Sequence, residues 1–202
     1  MKPAITIIAA LAALPALALG QTTPAPTTPA PAAAGGGLND RMINNPAATW
    51  NVYGTNQTSV VLDHDGPKGY PATRVTISAK GANAWDAGVV MQIPRAIPAG
   101  HVVFIAVYLR APEAKPGESV AMPFIGMTGA APPYDNVMSD HAAITSQWAQ
   151  YYAVGRATQA FPAGGTQATV HLAGDKHVID VGPIRVFDLG PDYDTTRLPR
   201  NP

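Results

Sequence analysis

The stretch His101-Val-Val-Phe-Ile-Ala-Val-Tyr-Leu-Arg110 decides how the rest of the chain reads. It is dominated by β-branched and aromatic residues, contains no Gly or Pro, and lies between the turn sequence Ile97-Pro-Ala-Gly100 and Ala111-Pro-Glu113. In an extended strand, Val103, Ile105, Val107 and Leu109 fall on one side, and Val102, Phe104, Ala106, Tyr108 and Arg110 on the other. Four aliphatic side chains in a row with no polar interruption belong between two packed sheets. The second row carries two aromatics and an arginine, a face that suits a flat polar ligand or lies beneath a loop.

Outward from this strand the same pattern recurs. Short β-type runs are predicted over 49–53, 59–63, 72–79, 87–93, 119–127, 147–158, 166–172, 176–181 and 184–189. Asp65-Gly-Pro67, Lys115-Pro-Gly117, Pro162-Ala-Gly-Gly165 and Ala173-Gly-Asp175 separate several of them as turns. One short helical turn is expected around 139–146. In 166–173 the inward set is Ala168, Val170 and Leu172, which leaves Gln167, Thr169 and His171 on the outside. Ten strands at regular spacing exceed the seven of a minimal immunoglobulin fold and predict an all-β antiparallel sandwich of the jelly-roll type.

The ends of the chain read differently. Residues 1–20, MKPAITIIAALAALPALALG, combine one early positive charge, a short apolar run and small residues before Gln21, the pattern of a cleaved secretory signal peptide. Residues 21–37, QTTPAPTTPAPAAAGGG, lack the apolar content to form a core and predict an extended linker. The globular domain is therefore expected over 38–202, in a secreted or periplasmic protein with no membrane attachment once the signal is removed.

Composition excludes several chemistries. Thirteen basic residues balance thirteen acidic ones, which argues against a nucleic-acid surface built on bulk charge. No cysteine is present, so thiolate metal sites, disulfides and cysteine nucleophiles are ruled out. The five histidines show no metal-binding spacing. Ser139-Asp140-His141 holds triad residue types, but adjacent in sequence they cannot easily face one another. The only glutamates, Glu113 and Glu118, sit together in a turn-rich segment, a poor arrangement for the paired carboxylates of glycoside hydrolysis.

Four segments in order, Asn83-Ala-Trp-Asp-Ala-Gly88, Ile97-Pro-Ala-Gly100 leading into His101–Ala111, Gln147-Trp-Ala-Gln-Tyr-Tyr152, and Val178-Ile-Asp-Val-Gly-Pro-Ile-Arg-Val186, resemble the carbohydrate-binding modules of the galactose-binding-like jelly-roll superfamily, the kind appended to bacterial xylanases. The resemblance spans Trp50 to Leu189. It implies noncatalytic recognition of a polysaccharide or oligosaccharide, by a protein expected to be monomeric. Family members often hold a structural calcium through an acidic N-terminal segment. Here that region is Leu38-Asn-Asp-Arg-Met-Ile-Asn-Asn45, and Asp40 with Asp180 or Asp188 are the candidate oxygen donors, a set too small to specify the ion. Otherwise no cofactor is expected.

Sugars offer flat C–H faces and hydroxyl rims, so their sites combine exposed aromatic planes with directed hydrogen-bonding groups. The residues expected to bind ligand on this ground are Trp85, Tyr108, Arg110, Tyr134 and His171. Trp50 and Trp148 are expected as core anchors. Two other classes of function fit the same sequence: an adhesive protein-binding β-domain, and a small hydrolase or lyase using Asp or Tyr/His groups.

Overall fold

The computed structural model describes residues 37–201. The predicted signal peptide and nearly all of the predicted linker lie outside these residues. Ten strands form two five-stranded antiparallel sheets. The first has the order β1 (Asn51–Gly54), β4 (Ala87–Ile93), β9 (Thr166–His171), β6 (Val120–Gly129), β7 (Asn136–Ile144). The second has the order β2 (Gln57–Leu62), β3 (Ala72–Ile77), β10 (His177–Gly190), β5 (Val102–Arg110), β8 (Ala149–Arg156). The chain crosses between sheets repeatedly, which makes the sandwich a jelly roll as the strand pattern predicts.

The aliphatic row of β5 lies where its phase requires. Val103, Ile105, Val107 and Leu109 are completely buried and pack with Val89, Met91 and Ile93 of β4 and with Ala168 and Val170 of β9. Burial of such side chains stabilises by roughly 1.5–3 kcal/mol each, so this row alone is a large part of what holds the sheets together. Trp50 is buried as expected, and its indole N–H donates to the Gly182 carbonyl at 2.9 Å.

Two local expectations are corrected, and one alternative left open is decided. Residues 136–144 form strand β7, not a helical turn, because Met138, Ala142 and Ile144 are buried between exposed Ser139, His141 and Ala143. That is a period of two, and the polar cluster Ser139-Asp140-His141 disguised it as a helix start. The two runs 176–181 and 184–189 are one strand, β10. A bulge between Val181 and Ile184 carries Gly182-Pro183, so the missing proline amide falls where the ladder is already interrupted. Finally, the outer row of β5 is largely covered. Val102, Phe104 and Ala106 are buried in a second cluster with Phe187, Leu189 and Leu198, and Phe104 stacks on both Tyr152 and Phe187. The C-terminal segment supplies this cover, and Asn201 fastens it by accepting from Tyr152 N–H and donating to the carbonyls of Tyr152 and His141.

Candidate functional site

A groove of about 800 Å³ runs over the outward face of the first sheet. Strand register explains its lining. His171 on β9 stands opposite Gly88 of β4, which in turn stands opposite Tyr53 of β1, and Ile125 of β6 opposite Val170 places Phe124 in the same row as His171. The next row holds Val90 and Thr169, and the third holds Gln167 and Thr128. Thus Gln167, Thr169 and His171, read from sequence as an outward polar set, form the floor. From Gln167 to His171 this floor extends about 13 Å at the ~3.3 Å rise of a strand residue.

Trp85 rises at the His171 end. It sits in a 3-10 turn, Ala84–Asp86, whose start is capped by the Asp86 carboxylate accepting from Asn83 N–H at 2.8 Å. Hydrogen bonds from Ala173 N–H to the Ala84 carbonyl and from Gly81 N–H to the Ala173 carbonyl pin this loop to the end of β9. The indole remains 60% exposed and meets His171 edge-on, with ring centroids 6.4 Å apart. Phe124 stacks on the same imidazole. An exposed indole, a phenyl ring and an imidazole therefore crowd one end of the groove.

Tyr134 stands at the Gln167 end, in the loop joining β6 to β7, and is 53% exposed. Its backbone is left-handed, with φ of 57°, a conformation that costs a side-chain-bearing residue about 1–2 kcal/mol. The turn is held by Tyr134 N–H donating to the Ala131 carbonyl and Gly129 N–H donating to the Asp135 carbonyl. Pro133 and Ala130 line the groove beside it.

The polar groups between these ends are tied to one another. Gln167 Nε2 donates to Thr128 Oγ1 at 3.3 Å, and the Thr128 and Thr169 hydroxyls are 3.0 Å apart. Asn136 donates to Ser139 at the β7 side. None of the fourteen lining residues is Asp, Glu, Lys or Arg. Burial alone pushes the His171 imidazole down to about 4 and the Tyr53 phenol up to about 12, so both are neutral through the physiological range. The groove is uncharged, mostly apolar, with a hydrogen-bonding row along its floor.

Of the five expected ligand residues, the structure brings Trp85, Tyr134 and His171 into this groove and places Tyr108 and Arg110 on the other sheet. Arg110 is engaged in an ion network: its Nε donates to Asp180 Oδ2 at 2.7 Å, it also binds Asp65, and its guanidinium lies 4.7 Å over the Trp148 ring. Arg74 completes the network through two bonds to the fully buried Asp180. Trp148 is half-buried on that outer face, not a core anchor, and its indole N–H donates to the Asp65 carbonyl. Tyr108 packs beside it against Gly182.

Tyr53 and Phe124 are groove residues that sequence reasoning missed. Tyr53 reaches the site because it lies across Gly88, where a Cβ would stand 2.7 Å from its hydroxyl. Phe124 follows a register break between Met122 and Ile125 that turns both Pro123 and Phe124 toward the groove.

Two of the three carboxylates named for calcium, Asp180 and Asp188, are committed to other partners. Both oxygens of Asp180 accept from arginines, and both oxygens of Asp188 lie within 2.9 Å of His101 Nδ1. Among the described residues no group of three His, Asp or Glu side chains is placed to hold a metal. Nor is any helix among them long and apolar enough to cross a membrane.

No family model and no curated protein sequence matches the chain. Solved structures do match in fold. An arabinose-bound α-L-arabinofuranosidase aligns over 70% of this chain at 15% identity and a TM-score of 0.52. The family 22 carbohydrate-binding and catalytic modules of a Clostridium thermocellum endo-1,4-β-D-xylanase, solved with xylohexaose, align over 73% at 8% identity and 0.51. The chain spans only 23% and 29% of those two proteins. The second N-terminal cellulose-binding domain of Cellulomonas fimi β-1,4-glucanase C is matched over 90% of its own length and 73% of this chain, at 18% identity and 0.51. At these identities the likeness is one of architecture, and the chain has the antiparallel jelly-roll fold found in carbohydrate-binding modules.

Proposed function

We propose that the protein is a secreted, noncatalytic carbohydrate-binding domain that takes a neutral polysaccharide or oligosaccharide along the groove of the first sheet. The observation that carries this reading is a groove without an ionised side chain, floored by Gln167, Thr169 and His171 and flanked by the exposed rings of Trp85 and Tyr134. Aromatic faces cover sugar C–H surfaces, and the amide and hydroxyl groups address the hydroxyl rims. Anionic ligands find no cation there, and glycosidic cleavage finds no carboxylate pair among the lining residues. The glycan-binding modules that share the fold support the same reading.

Affinity is expected in the micromolar to millimolar range, on the order of −4 to −8 kcal/mol, because each sugar hydroxyl exchanges water for a protein partner with little net gain. The signal peptide and the Pro/Thr/Ala-rich linker belong to this reading as an export signal and a spacer that leaves the domain free to reach an extended polymer. Affinity electrophoresis and isothermal titration against xylan, mixed-linkage β-glucan, soluble cellulose derivatives and an anionic polysaccharide test it. Retardation by at least one neutral glycan, with no reducing-sugar release, is the expected result. A folded protein that ignores every neutral glycan, or binds only the anionic one, would overturn it.

A further inference from the structure

We infer that the free edge of β2 is a self-association surface, on which a second copy of this chain pairs antiparallel about a two-fold axis through Ser59. An exposed strand edge offers a row of unmet amide and carbonyl groups, which proteins usually guard by shortness, bulges, charge or cover. The other three sheet edges are guarded. β1 is four residues long, β7 pairs with β6 through two register shifts, and the middle of β8 is taken by Asn201. Among the described residues β2 has none of these devices: Gln57-Thr-Ser-Val-Val-Leu62 has no charge and no proline, and it pairs with β3 without a break. Val60 and Val61 on this strand are 54% and 50% exposed, although neither belongs to the groove.

The hydrogen-bonding parity selects the register. Ser78 N–H donates to the Asn56 carbonyl, so Asn56, Thr58, Val60 and Leu62 direct their backbone groups toward β3. Gln57, Ser59 and Val61 therefore direct theirs outward. A two-fold axis at Ser59 sets Ser59 against Ser59 and Gln57 against Val61 of the second copy, which satisfies all three outward residues at once. Val61 also borders a small apolar recess formed with Trp50, Pro71 and Pro183, so the apposed strand extends a surface that is already apolar.

Charge selects the occupant and the direction. Exposed Asp63 closes β2, while exposed Lys80 follows Ser78 at the end where β2 opens, and neither has an ion-pair partner among the described residues. Antiparallel pairing of two copies brings the acidic end of one to the basic end of the other. Parallel pairing sets like charges together. The chain's zero net charge adds no long-range repulsion between copies. Pairing one short strand buries less than a standard interface, so the dimer is weak and transient, and the expected monomer is the species at low concentration. Each dimer carries two grooves, although the pairing does not depend on what those grooves bind.

Sedimentation velocity on the full chain from about 5 µM to about 500 µM tests this, the upper range being where small transient interfaces become populated. The weight-average sedimentation coefficient should climb from the monomer value toward that of a dimer. Ser59→Pro removes an outward amide and leaves the β3 ladder intact, so it should abolish the rise. Asp63→Lys and Lys80→Asp should each weaken association several-fold, and the double reversal should restore it, a readout that holds even if the proline variant folds poorly. A coefficient that stays monomeric throughout, association undiminished in Ser59→Pro, or a double reversal no better than the single ones would overturn the inference.

Discussion

Phe124 lies nearly flat against the imidazole of His171, with ring centroids 4.2 Å apart and planes 22° from parallel. This contact joins β6 to β9 on the groove face and fixes the ring beside which Trp85 stands. It also accounts for the low basicity of His171, since a ring stacked in an apolar corner loses the water that would stabilise its cation.

Trp85→Ala should weaken glycan binding about tenfold or more, equivalent to about 1.4 kcal/mol, because an exposed indole contributes through ligand contact. With 60% of the residue exposed and the capped turn intact, the thermal midpoint should hardly move. Titration calorimetry and a thermal melt on the same sample separate the two effects.

Tyr134→Gly should separate stability from affinity. Glycine accepts the left-handed backbone without the about 1–2 kcal/mol cost, so stability should hold or rise despite greater freedom in the unfolded chain. Glycan affinity should fall, because the ring at the Gln167 end is lost. Urea unfolding and calorimetry check the pair of outcomes.

Acid should destabilise the fold in a defined window. The folded-state value of His171 is depressed to about 4 from an ordinary 6.5, and burial also lowers that of His177. Between these limits the unfolded chain binds more protons than the folded one, so stability falls as pH drops from about 6.5 toward 4 and is fully present above it. Replacing His171 by Gln should flatten the dependence of the urea midpoint over that window. Ligand affinity in the wild type should be level from about pH 5.5 to 8, where the groove carries no charge.

Asp180→Ala should be the most damaging of these changes. It leaves the partly exposed Arg74 and Arg110 without the carboxylate they share, and loss of these charge-assisted hydrogen bonds costs about 1.5–3 kcal/mol. Chemical denaturation measures the loss. Glycan affinity of whatever fraction remains folded should be close to wild type, because the network lies on the other sheet.

Much of the fold was legible because alternation survives in β5 and β9, whose inward rows are uninterrupted. The same alternation found the floor of the groove in Gln167, Thr169 and His171. It failed where strands are irregular: Phe124 follows a register shift that breaks the period, and β10 runs through Gly182-Pro183, a pair that reads locally as a turn. Tyr108 and Arg110 were correctly read as outward-facing, but alternation only tells inside from outside. Which of two outer faces a strand presents is set by sheet order, and β5 lies beside β10 in the sheet opposite the groove. Tyr53 became visible only through its register with Gly88, a pairing across strands that local sequence does not encode.

The most direct test is isothermal titration of one neutral glycan into four proteins: wild type, Trp85→Ala, His171→Ala and Tyr108→Ala. The groove account predicts that binding is strongly weakened or lost in the first two variants and unchanged in the third. Binding that survives in Trp85→Ala and His171→Ala but disappears in Tyr108→Ala would place the ligand on the opposite sheet and contradict it.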